Sequence, residues 1–257
     1  MKILVCIKQV IDSDSTLYLS PEANWLQEES DTLYRMNSYD EYALEEALLL
    51  KEKIPSTEIH VISVGLERVT QIIRRAFSKG ADYGVHIRSD KTPLSALETA
   101  SYIAYYAEEK AFDLILTGVM SEDAMQCQVG PLLAALLSLP CAVSVVAAGL
   151  AAGDKCMTVH SELEGMMTEK IIVSLPAVLT IQTGGSRPRY PSLSNILRAN
   201  EKVIVSMDAE GMSAVDPREE FLPLAYPAVS AKGVVLAGTR EEKAEQLLNI
   251  LHERSLL

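Results

Sequence analysis

Apolar residues along this chain fall into short unbroken runs, and between the runs they recur at helical spacing. Lys2–Lys8 (Lys-Ile-Leu-Val-Cys-Ile-Lys) is the first run and reads as a buried strand, left by a polar loop over Gln9–Ser15. Asn24–Asn37 is weakly patterned, with Trp25 as its packing anchor. Asn37-Ser-Tyr-Asp40 opens a helix: Asn37 or Ser38 can cap it, and Asp40 and Glu41 suit its positive end. Ala43, Ala47 and Leu50, with Leu44 and Leu48 beside them, form its inward face as far as Lys53. Glu58–Val64 is the second strand and Arg68–Lys79 a helix stopped by Gly80. Tyr83–Ile87 is a third strand, and Thr92-Pro93 starts a helix running to Lys110. Asp113–Thr117, closed by Gly118, precedes a loop and a helix from Val129 to Leu137, and Ala142–Ala148 is one more strand.

Strands alternating with helices in this way predict an α/β fold with a doubly wound, mostly parallel sheet. Right-handed crossovers then gather the loops after Lys8, Val64 and Thr117 on one edge. Beyond Gly149 the rhythm changes. Met157–Leu163 and Glu169–Ser174 flank Gly165 as a hairpin, and Ala177–Gln182 follows, so added antiparallel edge strands are expected. Thr183–Pro191 is a turn-rich loop and Leu193–Ala199 a short helix. Ala209–Ser230, with three prolines, reads as a linker, and Arg240–Arg254 is an amphipathic helix with Ala244, Leu247, Leu248 and Leu251 on one face. The division expected is an α/β domain over 1–208 and a C-terminal linker and helix over 209–257.

Composition narrows the function. A net charge of −12 over 257 residues excludes a duplex nucleic-acid binder but not a nucleotide held by backbone amides. The four cysteines (Cys6, Cys127, Cys141 and Cys156) make no CxxC pair, and free thiols suit a reducing compartment, so a cytoplasmic protein is expected. No charge falls between Asp123 and Asp154, but prolines and glycines break that stretch, which reads as a buried helix and strand and not as a membrane span. His60, His86, His160 and His252 share no motif with a carboxylate or cysteine and read as structural. Glu162 and Glu164 alternate along a strand and share a face. There is neither GxGxxG nor a Walker lysine.

What remains is the stretch from Leu114 to Pro131. A loop leaving the carboxyl end of a parallel strand is where open α/β sheets bind ligands. The helix behind it offers free N–H groups, Pro131 lacks an N–H where none is needed, and Gly130 lets the backbone approach a phosphate. A basic-aromatic turn, Ser186-Arg-Pro-Arg-Tyr-Pro191, is the other distinctive segment.

Several segments together carry a resemblance: Pro176-Ala-Val-Leu-Thr-Ile-Gln182, Arg187-Pro-Arg-Tyr-Pro-Ser-Leu-Ser-Asn-Ile-Leu-Arg-Ala199, Lys2–Val10, Asn37–Ala47, Gly80-Ala-Asp82 and Gln128-Val-Gly-Pro131. Over nearly its full length the chain resembles the beta subunit of electron transfer flavoproteins. The resemblance implies a Rossmann-like, adenine-nucleotide-binding fold. It implies an obligate heterodimer with a larger alpha subunit that carries most of an FAD site. The pair takes electrons from acyl-CoA-type dehydrogenases and passes them to a membrane quinone reductase or another acceptor. The chain itself would be an electron-carrier subunit and not an enzyme. AMP is the implied structural nucleotide, with a second FAD oxidising NADH, as in bifurcating members, or no ligand as the alternatives. By position the cofactor residues would be Cys6, Asn37, Tyr39, Asp40, Val64, Met120, Asp123, Gln128, Val129 and Gly130, with Tyr39 near the alpha-subunit flavin. Ser13 stands where some relatives place a tyrosine. Leu193, with Asn195 and Ile196, would dock the partner dehydrogenase, and Glu162 would act in the docked arrangement of the mobile flavin domain.

The chain departs from the family in the loop. Only Asp123 remains of several aspartates, and Cys127-Gln-Val-Gly130 replaces Asn-Gln-Thr-Gly, which removes two side-chain donors for a phosphate. The rival reading, a free-standing nucleotide-binding module, leaves the proline-rich run and last helix without a use.

Overall fold

Nine strands form one sheet in a computed structural model that describes residues 1–20, 25–27, 29–150, 153–212, 215, 218–227 and 233–257. The central strands are β1 (Lys2–Cys6), β6 (Glu58–Gly65), β7 (Tyr83–Arg88), β8 (Leu114–Gly118), β9 (Cys141–Gly149) and β12 (Ala177–Ile181). The remaining strands of the sheet are β10 (Cys156–Leu163), β11 (Met167–Ser174) and β13 (Ile204–Asp208). The order is β11-β10-β9-β12-β8-β1-β6-β7-β13, with β10 antiparallel to both β9 and β11 and every other pairing parallel. The doubly wound sheet with an antiparallel hairpin on one side is as the hydrophobic pattern predicts, but Ala177–Ile181 is not an added edge strand: it runs parallel inside the sheet, between β8 and β9. From β1 the chain proceeds one way through β6 and β7, and from β8 it proceeds the other way. The direction reverses between β1 and β8, which makes the crevice above their carboxyl ends the topological switch point.

Alternation along β1 explains the two layers. Ile3 and Val5 join α1 (Ser38–Lys53) and α2 (Thr70–Lys79) in one apolar cluster. Leu4 and Cys6 join α3 (Ala96–Glu108) and α4 (Val129–Leu136) in the other. A strand covered on both faces needs apolar residues at every position, which is why Lys2–Lys8 reads as a continuous run.

Several local expectations change. The third helix begins at Ala96 and not at Thr92-Pro93, because Ser95 and Glu98 form a reciprocal capping box. Gln9–Ile11 is not loop: it is β2, paired with β5 (Tyr34–Met36). A second small ribbon joins β3 (Tyr18–Leu19) and β4 (Leu26–Gln27), and Trp25 meets Phe221 edge-on at 6.4 Å. Asn24 lies outside the described residues. β10 ends at Leu163, so Glu164 turns away in a 3-10 turn and does not share a strand face with Glu162. Of the linker, residues 213, 214, 216, 217 and 228–230 are outside the described residues, and Ala209–Gly211 is a 3-10 turn with Ala209 buried. The uncharged stretch after Asp123 becomes α4 and β9, and among the described residues no helix is long and apolar enough to cross a membrane.

The described residues divide into two compact units, Met1–Pro223 and Leu224–Leu257. The second contains α6 (Arg240–Glu253), started by a capping box between Thr239 and Glu242.

Arg189 fixes the loop between β12 and α5 (Leu193–Glu201). Its guanidinium donates to Glu45 at 2.8 and 3.0 Å and to Glu52 at 2.7 Å, and its backbone N–H adds a bond to Glu45 at 2.9 Å. The basic-aromatic turn is thus a pin onto α1. Arg189→Ala leaves the Glu45 carboxylate buried without its partner. Losing one member of a buried pair costs about 3–5 kcal/mol, and the side chain of Arg189 is 33% exposed, so about 2 kcal/mol is expected in urea unfolding. Adding Glu45→Gln should recover part of that loss; an unchanged midpoint in Arg189→Ala would show that the pin carries no stability.

Candidate functional site

At the carboxyl ends of β1 and β8, five chain segments meet. β1 ends in Cys6, β6 in Val64 and Gly65, and β8 in Gly118; α1 begins at Ser38, and α4 follows the loop from Val119 to Gln128. Asp40 sits at the centre, only 5% exposed. Its carboxylate accepts the Lys8 N–H at 2.7 Å and the Gly118 N–H at 3.0 Å. One side chain of α1 therefore ties the ends of β1 and β8 together across the switch point. Burial pushes its carboxyl up to about 7, against the pull of those two N–H donors, Asn37 and Lys8. Burial also raises the Cys6 thiol, and the charge of Asp40 adds to it, so Cys6 is a neutral apolar surface at the strand end.

Asn37 does not cap α1 with its side chain. It is 1% exposed and spans to the loop instead: its Nδ2 donates to the Met120 carbonyl at 2.9 Å, and its Oδ1 accepts the Glu122 N–H at 3.0 Å. The capping falls to Glu122, which accepts the Ser38 N–H at 3.2 Å and is paired with Arg35 at 3.0 Å. Arg35 also donates to Ser38 and faces Asp12 at 3.6 Å. Lys8 reaches over the rim to Asp123 at 2.7 Å and Ser121 at 3.2 Å. Glu122, Arg35 and Lys8 escape sequence reasoning because their partners lie far along the chain. The only available signal is that Glu122 lies in a loop leaving a strand end.

Gly118 and Gly130 are packing glycines. A Cβ on Gly118 would overlap Asp40 and lie 2.7 Å from the Tyr39 Cβ. A Cβ on Gly130 would overlap Thr180 and lie 2.9 Å from the Thr117 Oγ1. The close approach expected of Gly130 toward a ligand is, within the chain, an approach of α4 to β8 and β12. Met125 and Cys127 take left-handed backbone conformations (φ 53° and 56°) in the exposed loop. Gln128 is the N-cap residue of α4 but does not cap it with its side chain, so Val129 and Gly130 open a helix with no side-chain cap.

The structure therefore brings Cys6, Asn37, Tyr39, Asp40, Val64, Met120, Asp123, Gln128, Val129 and Gly130 around one edge. The donor set suits a phosphate at the start of α4, where the backbone amides are not side-chain capped, and Lys8 reaches the preceding loop at Ser121 and Asp123. Cys6 and Val64 suit the apolar face of a base. Among the described residues no cluster of His, Cys, Asp or Glu could hold a metal.

The docking residues lie elsewhere. Ser192 caps α5 through the Asn195 N–H, and Leu193, 74% exposed, begins a bare stripe with Ile196 and Leu197. Tyr190 is also exposed. Glu162 is exposed near the end of β10, which runs back toward the opposite edge of the sheet. It is not brought to the switch point.

Fold and edge define a doubly wound α/β domain of the nucleotide-binding type. Residues 24–211 match the family model described as electron transfer flavoprotein domain. Relatives named electron transfer flavoprotein subunit beta cover nearly the whole chain. That of Methylophilus methylotrophus is 31% identical over 98% of both chains, and that of Bacillus subtilis 30% over 99% of both. The Bos taurus subunit is 32% identical over 98% of this chain and 97% of its own. The chain belongs to the electron transfer flavoprotein family, among its beta subunits.

Proposed function

We propose that this chain is the beta half of a heterodimer that carries electrons from an acyl-CoA-type dehydrogenase to a membrane quinone reductase or another acceptor. It shares an FAD with an alpha subunit and holds AMP as a structural nucleotide at the switch-point edge. The flavin supplies the redox chemistry, and the protein supplies binding, orientation and electrostatics. Val129 and Gly130 would give backbone N–H groups to the phosphate, with Lys8 as the nearby cation. Cys6 and Val64 would face the base, and Tyr39 would lie toward the shared flavin. Asn37 holds the Met120–Glu122 backbone in place, so it shapes the site from behind.

The observation that carries the docking part is Leu193. A leucine 74% exposed at the start of a properly capped helix has no core role, and with Ile196 and Leu197 it forms a compact apolar patch. One apolar anchor entering a partner's pocket is how a transient interface gains specificity. Leu193→Ala should lower the rate of dehydrogenase-dependent flavin reduction about tenfold, equivalent to about 1.4 kcal/mol. The unfolding midpoint should stay unchanged. An unaltered rate would remove Leu193 from the interface.

The experiment for the whole reading is cofactor stoichiometry on the co-purified heterodimer. One FAD and one AMP per pair support it. Two FAD and no AMP would replace it with the bifurcating reading. One FAD alone would mean that the edge holds no nucleotide.

A further inference from the structure

The switch-point edge has already spent part of its anion-binding capacity on the chain's own carboxylates. In an open α/β sheet, phosphates are received by backbone N–H groups at strand ends and helix starts around this crevice. Here the N–H groups of Lys8 and Gly118, at the ends of β1 and β8, donate to Asp40. The N–H of Ser38, the first residue of α1, donates to Glu122. Both carboxylates are held in place: Asp40 by burial, with Gly118 leaving the room it needs, and Glu122 by Arg35.

The charges around the edge point the same way. Asp12, Glu122 and Asp123 are three carboxylates facing two cations, Arg35 and Lys8, and each cation is engaged by at least one of them. A single phosphate at α4 can draw Lys8 from Asp123. A second or third phosphate would enter a region that is net anionic, where the strand-end amides and the first amide of α1 are already occupied.

We infer that Asp40 and Glu122 are specificity-determining residues, Asp40 by filling the strand-end amides and Glu122 as a built-in anion at the start of α1, restricting this site to nucleotides with one phosphate and excluding di- and triphosphates. The inference rests on the nucleotide reading given above. It adds which residues of this chain set the phosphate number.

The test uses the heterodimer stripped of adenylate, with AMP, ADP and ATP titrated separately by calorimetry. Glu122→Gln removes the charge and keeps an oxygen to accept the Ser38 N–H. Asp40→Asn does the same for one of its two donors. The wild type should bind AMP more tightly than ADP, and ADP more tightly than ATP. In Glu122→Gln the ADP-to-AMP affinity ratio should rise about threefold to tenfold, the scale of one unit charge acting across a few ångströms of partly screened medium. A substitution that merely loosened the fold would weaken all three ligands together and leave the ratio alone. AMP binding with an unchanged ratio in Glu122→Gln would overturn the inference while leaving the nucleotide reading intact, as would a wild type that takes ADP as tightly as AMP. Failure of all three nucleotides to bind would overturn both. Glu122 is on a rim loop, so its variant keeps the test decisive even where Asp40→Asn does not fold.

Discussion

Replacing Asp40 by asparagine should flatten the fall in folding stability between pH 4 and pH 8. The Asp40 carboxyl moves from an ordinary 3.8 up to about 7 in the folded chain, chiefly because it is buried. A raised folded value means that its contribution to stability is complete below about pH 4 and is lost as the pH rises through 7. A difference of about three units corresponds to about 4 kcal/mol. Asparagine has no proton to lose, so this component vanishes from the variant. It also turns an amide NH2 toward the N–H of Lys8 or Gly118, a pH-independent cost of about 1–3 kcal/mol. The wild type should therefore be the more stable form at pH 4, and the gap should close or reverse by pH 8. Urea unfolding across that range checks it, because the other carboxylates are common to both proteins and cancel. A gap that stays constant with pH would show that the buried carboxyl titrates normally.

Gly118→Ala should cost about 3 kcal/mol and abolish nucleotide binding. The added Cβ would collide with the Asp40 carboxylate, the Tyr39 Cβ and, at 3.0 Å, the Asp40 backbone N. The Asp40 carboxylate is held by the Lys8 and Gly118 N–H groups, and the Tyr39 Cβ and Asp40 N cannot yield without movement of the backbone. Relief requires the first turn of α1 to lift from β8, which would break the Gly118–Asp40 bond and displace Asn37 from the Met120–Glu122 backbone. Gly149→Ala is the control, since its nearest neighbour would be a carbonyl oxygen at 3.8 Å and little change is expected. Equal stability of the two variants would mean that the start of α1 is free to move. The Asp40 and Gly118 experiments probe one knot from its two sides, the charge that ties it and the gap that admits it.

Much of the scaffold is legible in the sequence because strands buried on both faces must be apolar throughout. Lys2–Lys8, Glu58–Val64 and Ala177–Gln182 stand out for that reason, and Gly80 stops its helix in the left-handed region at φ 130°. Short or late elements are harder. β2 and β5 have three residues each, too few to show alternation. β13 is apolar and β-branched over Val203–Val205 but stands between a helix and a proline-rich run. The start of α3 looked like Thr92-Pro93 because proline favours a first turn, yet the reciprocal bonds of Ser95 and Glu98 outweigh that preference.

By itself the sequence determines the order of strands and helices, and hence which loops share an edge, since right-handed crossovers leave little choice. It also determines the family, through segments such as Arg187–Ala199. Tertiary structure alone decides how the polar groups at that edge are spent. Asn37 turns from helix cap to loop brace, Glu122 becomes the cap in its place, Asp40 closes the crevice, and Arg189 pins a loop to α1. Periodicity encodes which face of an element is buried, a local property repeated along the chain. A hydrogen bond between residues 78 or more positions apart has no such repeat, and it exists only once the sheet has brought its ends together.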